Sequence, residues 1–318
     1  VIDEILMATA GLVLLVFAGD ALVRGAVNLA LRLGIPALVV GLTVVAFGTS
    51  APELLVSVQA VLQGSSGIAM GNVIGSNIAN ILLVLGIPAI ISVIHAGDSD
   101  TRRSYAMMIA ASVLFIGLSA LGPIRWWHAL ILLAGLAVML FDSYRHTRAH
   151  QAGMRDGTAE AEEVEGADPG MPGWKIAMFL IAGLIGLPIG ADLLVDSASE
   201  IARTLGVSET LIGLTLVAVG TSLPELATSV MAAIRRSADV ALGNVIGSNM
   251  FNLLGIIGVA GLIGPIAVEP ALLRFDLWVM LAASLIILPV VLWRWNITRL
   301  GGALLVALYA GYVGLLIA

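Results

Sequence analysis

Gly41–Glu53 reads GLTVVAFGTSAPE, and 172 positions later Gly213–Glu225 reads GLTLVAVGTSLPE. Each stretch is followed, at the same distance, by an identical GNVIGSN, at Gly71–Asn77 and Gly243–Asn249. The same offset pairs Asp20 with Asp192, Thr49 with Thr221, Glu53 with Glu225, Ser76 with Ser248 and Asn80 with Asn252. One polar constellation therefore occurs twice, inside the most apolar parts of the chain. Paired apolar segments interrupted by Gly and Pro are the sequence form of a two-repeat membrane transporter, with its binding site where the halves meet.

The surroundings of these motifs fix the class. Mean hydropathy is +1.06; 59% of residues are hydrophobic and only 11% charged, which excludes an ordinary soluble domain. Runs long enough to cross a bilayer, about 20 residues each, are predicted over 4–31, 36–62, 67–94, 104–122, 124–142, 174–198, 208–234, 240–263, 275–293 and 297–317. The first run opens Val-Ile-Asp-Glu with no basic stretch before it, so it reads as a retained helix rather than a cleaved signal. There are no cysteines, hence no disulfides and no thiolate metal ligands.

Basic residues orient the chain. With residues 143–173 placed in the cytoplasm, the cytoplasmic ends hold Lys175 and all the arginines except Arg125, Arg203 and Arg274. That bias puts both termini outside and the connector inside. Five helices per half is an odd number, so the second half enters the membrane upside down. The expected fold is all-α, with ten transmembrane helices as two inverted five-helix repeats, 1–142 and 174–318, joined by a cytoplasmic connector at 143–173.

The connector is rich in Gly, Ala, Glu and Asp, with Arg145, His146, Arg148 and His150 first and Glu160, Glu162, Glu163 and Glu165 later. It reads as a flexible link; a calcium-sensing loop would need an Asp-x-Asp-x-Asp-Gly pattern that is absent. Most of the 36 glycines lie in the helices and read as close-packing positions. Trp126, Trp127, Trp174, Trp293 and Trp295 fall near helix ends and read as interfacial anchors. His95, His128, His146 and His150 fall at helix ends or in the connector and read as solvated.

The chemistry sits in the repeated motifs. Thr49 and Glu53 are four apart and share one helical face, with Ser50 beside them. Pro52 lacks an N–H and clashes with the Gly48 carbonyl, so a straight helix is disfavoured there. In lipid a broken helix survives only where it is buried or lines a cavity, and its freed carbonyls are ligands for hard cations. Thr221, Ser222, Pro224 and Glu225 repeat the device. Asn72, Ser76 and Asn80 form an i, i+4, i+8 stripe on the next helix, as do Asn244, Ser248 and Asn252. All of these groups are oxygen donors; no His, Cys or Met shares the stripes, which points to sodium, calcium or another hard ion rather than zinc or copper. An intramembrane acid costs about 2.5–3.5 kcal/mol to insert, and two acids brought together repel, so the site calls for a cation or a proton. Asp20, one turn before Arg24, reads as a local structural pair.

These paired GTSxPE and GNxxGSN motifs resemble the alpha repeats of the cation/calcium antiporter superfamily, and the chain is most similar to its prokaryotic sodium/calcium exchangers. The resemblance implies a central calcium site from Glu53, Glu225, Thr49 and Thr221. It further implies flanking sodium sites from Ser50, Ser76, Ser222 and Ser248 with the carbonyls of Ala46 and Ala218, and a middle position completed by Asn80 and Asn252. It implies a prokaryotic inner-membrane antiporter carrying Ca2+ and Na+ by alternating access, with the first and sixth helices sliding against the others. No cofactor and no nucleic-acid partner is expected beside the lipid bilayer.

Some potassium-dependent relatives carry Asp at the position of Asn252. Two carboxylates here favour potassium-independent exchange, and the family's three-to-one stoichiometry would make it electrogenic. Two rivals remain at this level: a proton/calcium exchanger of the same superfamily, and a passive cation channel. An intramembrane serine hydrolase is disfavoured, because neither Ser50 nor Ser222 has a histidine base at membrane depth.

Overall fold

A computed structural model describes residues 2–94, 101–155, 168–206 and 218–317. His95, most of the connector including its four glutamates, and residues 208–217 of the span expected at 208–234 lie outside the described residues. So do the side chains of His146, His150 and Ala218. We label the helices α1 (Ile2–Leu33), α2 (Ala37–Thr49), α3 (Ala51–Leu62), α4 (Ser66–Ile91), α5 (Thr101–Ala120), α6 (Trp126–Arg155), α7 (Gly173–Thr204), α8 (Ala218–Gly220), α9 (Leu223–Ile234), α10 (Ala238–Ile263), α11 (Leu272–Leu292) and α12 (Arg299–Ile317). Among the described residues eight helices are long and apolar enough to cross a membrane, and the bent pair α2–α3 makes a ninth. The chain is an all-helical, multi-pass membrane protein.

Pro52 bends the second span by 45° at Ser50, which leaves helical geometry at φ −85°, ψ 9°. Ser222 does the same before Pro224, at φ −89°, ψ 5°. The span expected at 124–142 runs on to Arg155. The segment 143–155 carries three Arg and two Ala, contains no Pro, and ends on Arg155, a basic residue that favours a helix C-terminus. The first part of the connector is therefore helical.

The two halves repeat even in their corners. After α3 the chain turns at Gly64, φ +74°, with Ser65 N–H donating to the Ala60 carbonyl at 2.8 Å. After α9 the same turn is made by Arg236, φ 57°, with Ser237 N–H donating to the Ala232 carbonyl at 2.8 Å. Arg236 thus holds a left-handed conformation that an L side chain resists by roughly 1–2 kcal/mol. A Cβ at Gly64 would meet open space, so backbone strain alone sets its cost. Gly64→Ala is expected to lower stability by about 1 kcal/mol and Arg236→Gly to raise it slightly. Melting in detergent checks the opposite signs; the same sign for both would remove the shared-corner account.

Packing divides into two apolar clusters. One is centred on α4, α5, α10 and α11, with Met70, Ile78, Met108, Phe115, Val245 and Met280 all at 0% exposure. The other joins α1 and α7 to α2 and the ends of α9 and α10. α1 and α7 lie against one another along much of their length. A Cβ on Gly11 would sit 2.8 Å from the Gly190 carbonyl oxygen, and one on Gly183 would sit 2.9 Å from that of Ala18. Each contact is the other shifted by 172 and exchanged between helices, the signature of a two-fold relation. The tryptophans Trp126, Trp174, Trp293 and Trp295 are exposed near helix ends, where interfacial rings belong.

Candidate ion-binding site

Each bend places an acid in the first turn of the helix that follows it: Glu53 in α3 and Glu225 in α9. Helix N-termini carry partial positive charge from unpaired N–H groups, which offsets part of the cost of burying the carboxylates. Both are sealed from solvent, at 1% and 0% exposure, and close enough to repel one another. Ser50 donates its hydroxyl across the repeat boundary to Glu225 Oε1 at 2.9 Å. The hydroxyls of Thr49 and Ser248 also face that carboxylate.

The bends are held in place by asparagines. Asn72 Nδ2 donates to the Glu53 carbonyl at 3.2 Å and to Ser57 Oγ at 3.0 Å. Asn244 Nδ2 donates to the Glu225 carbonyl at 3.4 Å and to Ser229 Oγ at 3.3 Å. Asn72 and Asn244 therefore brace the first turns of α3 and α9. Thr49 Oγ1 lies 3.2 Å from Asn244 Oδ1 and 3.4 Å from the Ala46 carbonyl, and its single proton serves one at a time.

Most of the remaining members of the constellation are buried with their oxygens unused. Glu53 Oε2, Glu225 Oε2, Asn80 Oδ1, Asn252 Oδ1, Thr221 Oγ1, Ser222 Oγ and Ser248 Oγ are buried and have no hydrogen-bond partner among the described residues. Ser76 is buried with them at 3% exposure. Buried polar atoms are normally paired, because an unpaired one costs about 1–3 kcal/mol. These seven, all of them oxygens drawn from both repeats, are candidate ligands for a cation. Two carboxylates, Glu53 and Glu225, are the acids of this set; among the described residues no three acids or imidazoles are grouped closely enough to hold a metal ion by themselves.

Ala46 departs from the sequence expectation. Its carbonyl was expected to be freed by the bend, yet it accepts the Ser50 N–H at 3.1 Å and lies within reach of Thr49. Proline removes the partner of the carbonyl four residues before it, which is Gly48, so Ala46 keeps its own. In the second repeat Ser222 N–H donates to Val219 at 3.1 Å, a tighter turn that does not use the Ala218 carbonyl.

A cavity of about 610 Å³ reaches Thr221 and Pro224 and is lined by Glu4, Asp192, Asp196 and Glu200, with Arg203 among them. Asp192 and Asp196 have no basic partner among the described residues. Asp20, the counterpart of Asp192, has two: Arg24 at 3.0 Å, as the sequence spacing suggests, and Arg235 at 2.5 Å. Accordingly Thr49 is buried whereas Thr221 is partly open.

Comparison with known proteins decides the class. The family profile described as "Sodium/calcium exchanger protein" matches the chain twice, over residues 4–144 and 175–318. The chain belongs to the sodium/calcium exchanger family. It is 34% identical to the sodium/calcium exchanger MaX1 of Methanosarcina acetivorans over 338 residues, 95% of each chain. It is 37% identical to the inner membrane protein YrbG of Escherichia coli over 295 residues, 91% of this chain and 90% of that one. A solved structure of the sodium-calcium exchanger NCX_Mj, soaked with zero Na+ and Ca2+, superposes with a TM-score of 0.82 at 34% identity, covering 99% of both chains. As a member of this family the chain is an ion transporter and not an enzyme.

Two features of this exchanger-family chain escape sequence reasoning. His128 is not solvated but 2% exposed, with Nδ1 accepting the Arg125 N–H at 3.0 Å. It closes the first turn of α6 beneath the backbone pair Ile124–Ile266, a contact between segments far apart in the chain. Asn77 and Asn249, buried at 1% each, join α4 to α10 beside the candidate ligands. They lie within the repeated GNVIGSN, three residues before Asn80 and Asn252, and that spacing was the available signal.

Proposed function

We propose that this protein exports Ca2+ in exchange for Na+ entry by alternating access, without dependence on K+ and with net charge movement. The observation that carries the reading is the cage of seven unpartnered buried oxygens drawn from both repeats. Glu53 and Glu225 with Thr49 and Thr221 form its calcium position. Ser50, Ser76, Ser222 and Ser248 with the Ala46 and Ala218 carbonyls form the flanking sodium positions, and Asn80 and Asn252 complete the middle. For Ala46 to serve, the long Thr49 contact gives way while the Ser50 bond stays, since a carbonyl has two lone pairs.

Ca2+ and Na+ share the two carboxylates and so compete. Two carboxylates balance one Ca2+ or two Na+, and a third Na+ carries uncompensated charge. An empty cage holds two repelling acids, and bound ions relieve that repulsion. Coupling then follows from ions binding the transition between access states better than the empty cage does. The ten-helix, inverted-repeat architecture, 1–142 and 174–318 about a cytoplasmic connector at 143–173, is part of the same reading. The symmetry-exchanged contacts of α1 with α7 support it. Both termini would face outward from a prokaryotic inner membrane, and the 610 Å³ cavity would then open to the outside.

The test is Ca2+ uptake into sealed proteoliposomes loaded with Na+, with pH clamped on both sides. Uptake that requires internal Na+ and responds to imposed voltage is the expected result. Uptake indifferent to Na+ and driven by a pH gradient would move the coupling ion to H+; downhill flux alone would make the protein a channel. Within this assay Ser76→Ala or Ser248→Ala is expected to raise the Na+ requirement severalfold with a smaller change in Ca2+ affinity. Equal loss of both would count against separate sodium positions.

A further inference from the structure

Four asparagines where α4 crosses α10 form a reciprocal network. Asn77 Nδ2 donates to the Asn249 carbonyl at 3.3 Å, and Asn249 Nδ2 to the Asn77 carbonyl at 3.4 Å. Asn252 Nδ2 donates to Asn77 Oδ1 and Asn80 Nδ2 to Asn249 Oδ1, each at 3.0 Å. The network is closed at its edges by sulfur: Asn77 Nδ2 lies 3.7 Å from Met280 Sδ, and Asn249 Nδ2 lies 3.8 Å from Met108 Sδ. All four asparagines are at or below 1% exposure, sealed from bulk solvent.

The direction of every amide follows from one fact. A backbone carbonyl can only accept, so Asn77 must turn its Nδ2 toward the Asn249 carbonyl. Its Oδ1 then points the other way and can itself only accept. Asn252 must meet it with Nδ2, which leaves Asn252 Oδ1 on the far side. That oxygen is one of the unpartnered atoms of the cage. The same chain of constraints runs from the Asn77 carbonyl through Asn249 to Asn80 Oδ1.

We propose that Asn77 and Asn249 are positioning residues that lock the side-chain amides of Asn252 and Asn80 with oxygen inward, making the middle of the cage a cation site without a third carboxylate. A free amide presents NH2 as readily as oxygen, and an NH2 facing a cation repels it. The lock removes that alternative before any ion arrives. Because each positioning residue orients the ligand of the opposite repeat, it also ties the two halves of the cage to one geometry. This inference rests on the ion-site reading given above and adds to it residues that touch no ion.

The test is a pair of double-mutant cycles read by ion binding to purified protein, through 45Ca2+ retention and the Na+ concentration that displaces it. Asn77→Ala is expected to weaken binding about tenfold, the lower range for loss of a group that orients a metal ligand. Asn252→Ala removes the oriented oxygen, and adding Asn77→Ala to it should then cost no further binding. Binding losses that multiply in the double variant would overturn the proposal, since a general packing role acts whether or not Asn252 is present. The Asn249→Ala and Asn80→Ala cycle is the independent repeat should Asn77→Ala fail to fold. Glu53→Gln runs alongside: if it binds Ca2+ as the unmodified chain does, the ion-site reading itself has failed. If it does not bind while the cycles are additive, only the positioning role is lost.

Discussion

Glu53→Gln and Glu225→Gln are each expected to abolish Ca2+ uptake, by at least a hundredfold, while the protein still inserts and folds. Gln keeps the shape and one oxygen but removes half the charge of the cage. A divalent ion would then sit among one carboxylate and neutral donors, having given up its hydration shell for them. Removing one partner of a buried charge set costs about 3–5 kcal/mol, which is more than two decades in affinity. Stability should move the other way, because the empty cage no longer holds two repelling acids. The check is uptake beside melting temperature: lost transport with an unchanged or raised melting point is the expected pair. Normal exchange by either variant would sink the site assignment.

The second large effect is expected at Gly247. A Cβ there would lie 2.5 Å from the Leu42 carbonyl oxygen and 2.7 Å from Ala46 Cβ. These are backbone and near-backbone atoms, with no flexible side chain to yield, so Gly247→Ala must push α2 away from α10. Overpacking of this kind costs about 1–3 kcal/mol. It also displaces Ala46 and Thr49 from the cage, so transport should fall further than stability alone explains. Gly117 on α5 is the control: a Cβ there meets nothing within 4 Å, and Ala favours a helix by about 0.8–1.0 kcal/mol over Gly. Gly117→Ala should therefore be neutral or stabilising. A Gly247→Ala protein that melts and transports like the parent would show that the helices can part without consequence.

The candidate site was legible because polarity is conspicuous in apolar helices. Glu53, Thr49, Ser76 and Asn80 stand out against Val, Ile and Leu, and duplication at a fixed offset separates them from accident. The bends were legible for a local reason, since proline disables a bond four residues away. What stayed hidden depends on partners distant in the chain. Asn72 shares the stripe of Ser76, yet it turns to the carbonyl of Glu53 on the neighbouring helix. Asn77 belongs to the same motif, but its role exists only where α4 meets α10. Arg235 lies 215 residues from Asp20, and His128 is buried by a backbone pairing that no periodicity announces. The length of α6 was missed because charged residues were read as connector when their helix propensity was adequate.

A transporter made of two identical inverted halves would have isoenergetic states, each the other turned by a half-rotation about an axis in the membrane plane. Asp20 breaks that degeneracy. It binds α1 to Arg235 at the end of α9, whereas the equivalent acid Asp192 faces Asp196 and its would-be partner position is Gln63. On the alternating-access reading proposed above, one closed mouth is fastened by an ion pair, and the other, when it closes, brings together four acids with Arg203 beside them. On that reading the resting population is expected to lean toward the conformation seen here, with the return stroke beginning uphill. Such a lean gives the cycle a preferred starting point without changing its thermodynamic driving force, which only the ion gradients supply. Directional behaviour under zero-gradient conditions would then be a property of four side chains, Asp20, Arg24, Arg235 and Asp192, rather than of the ion cage.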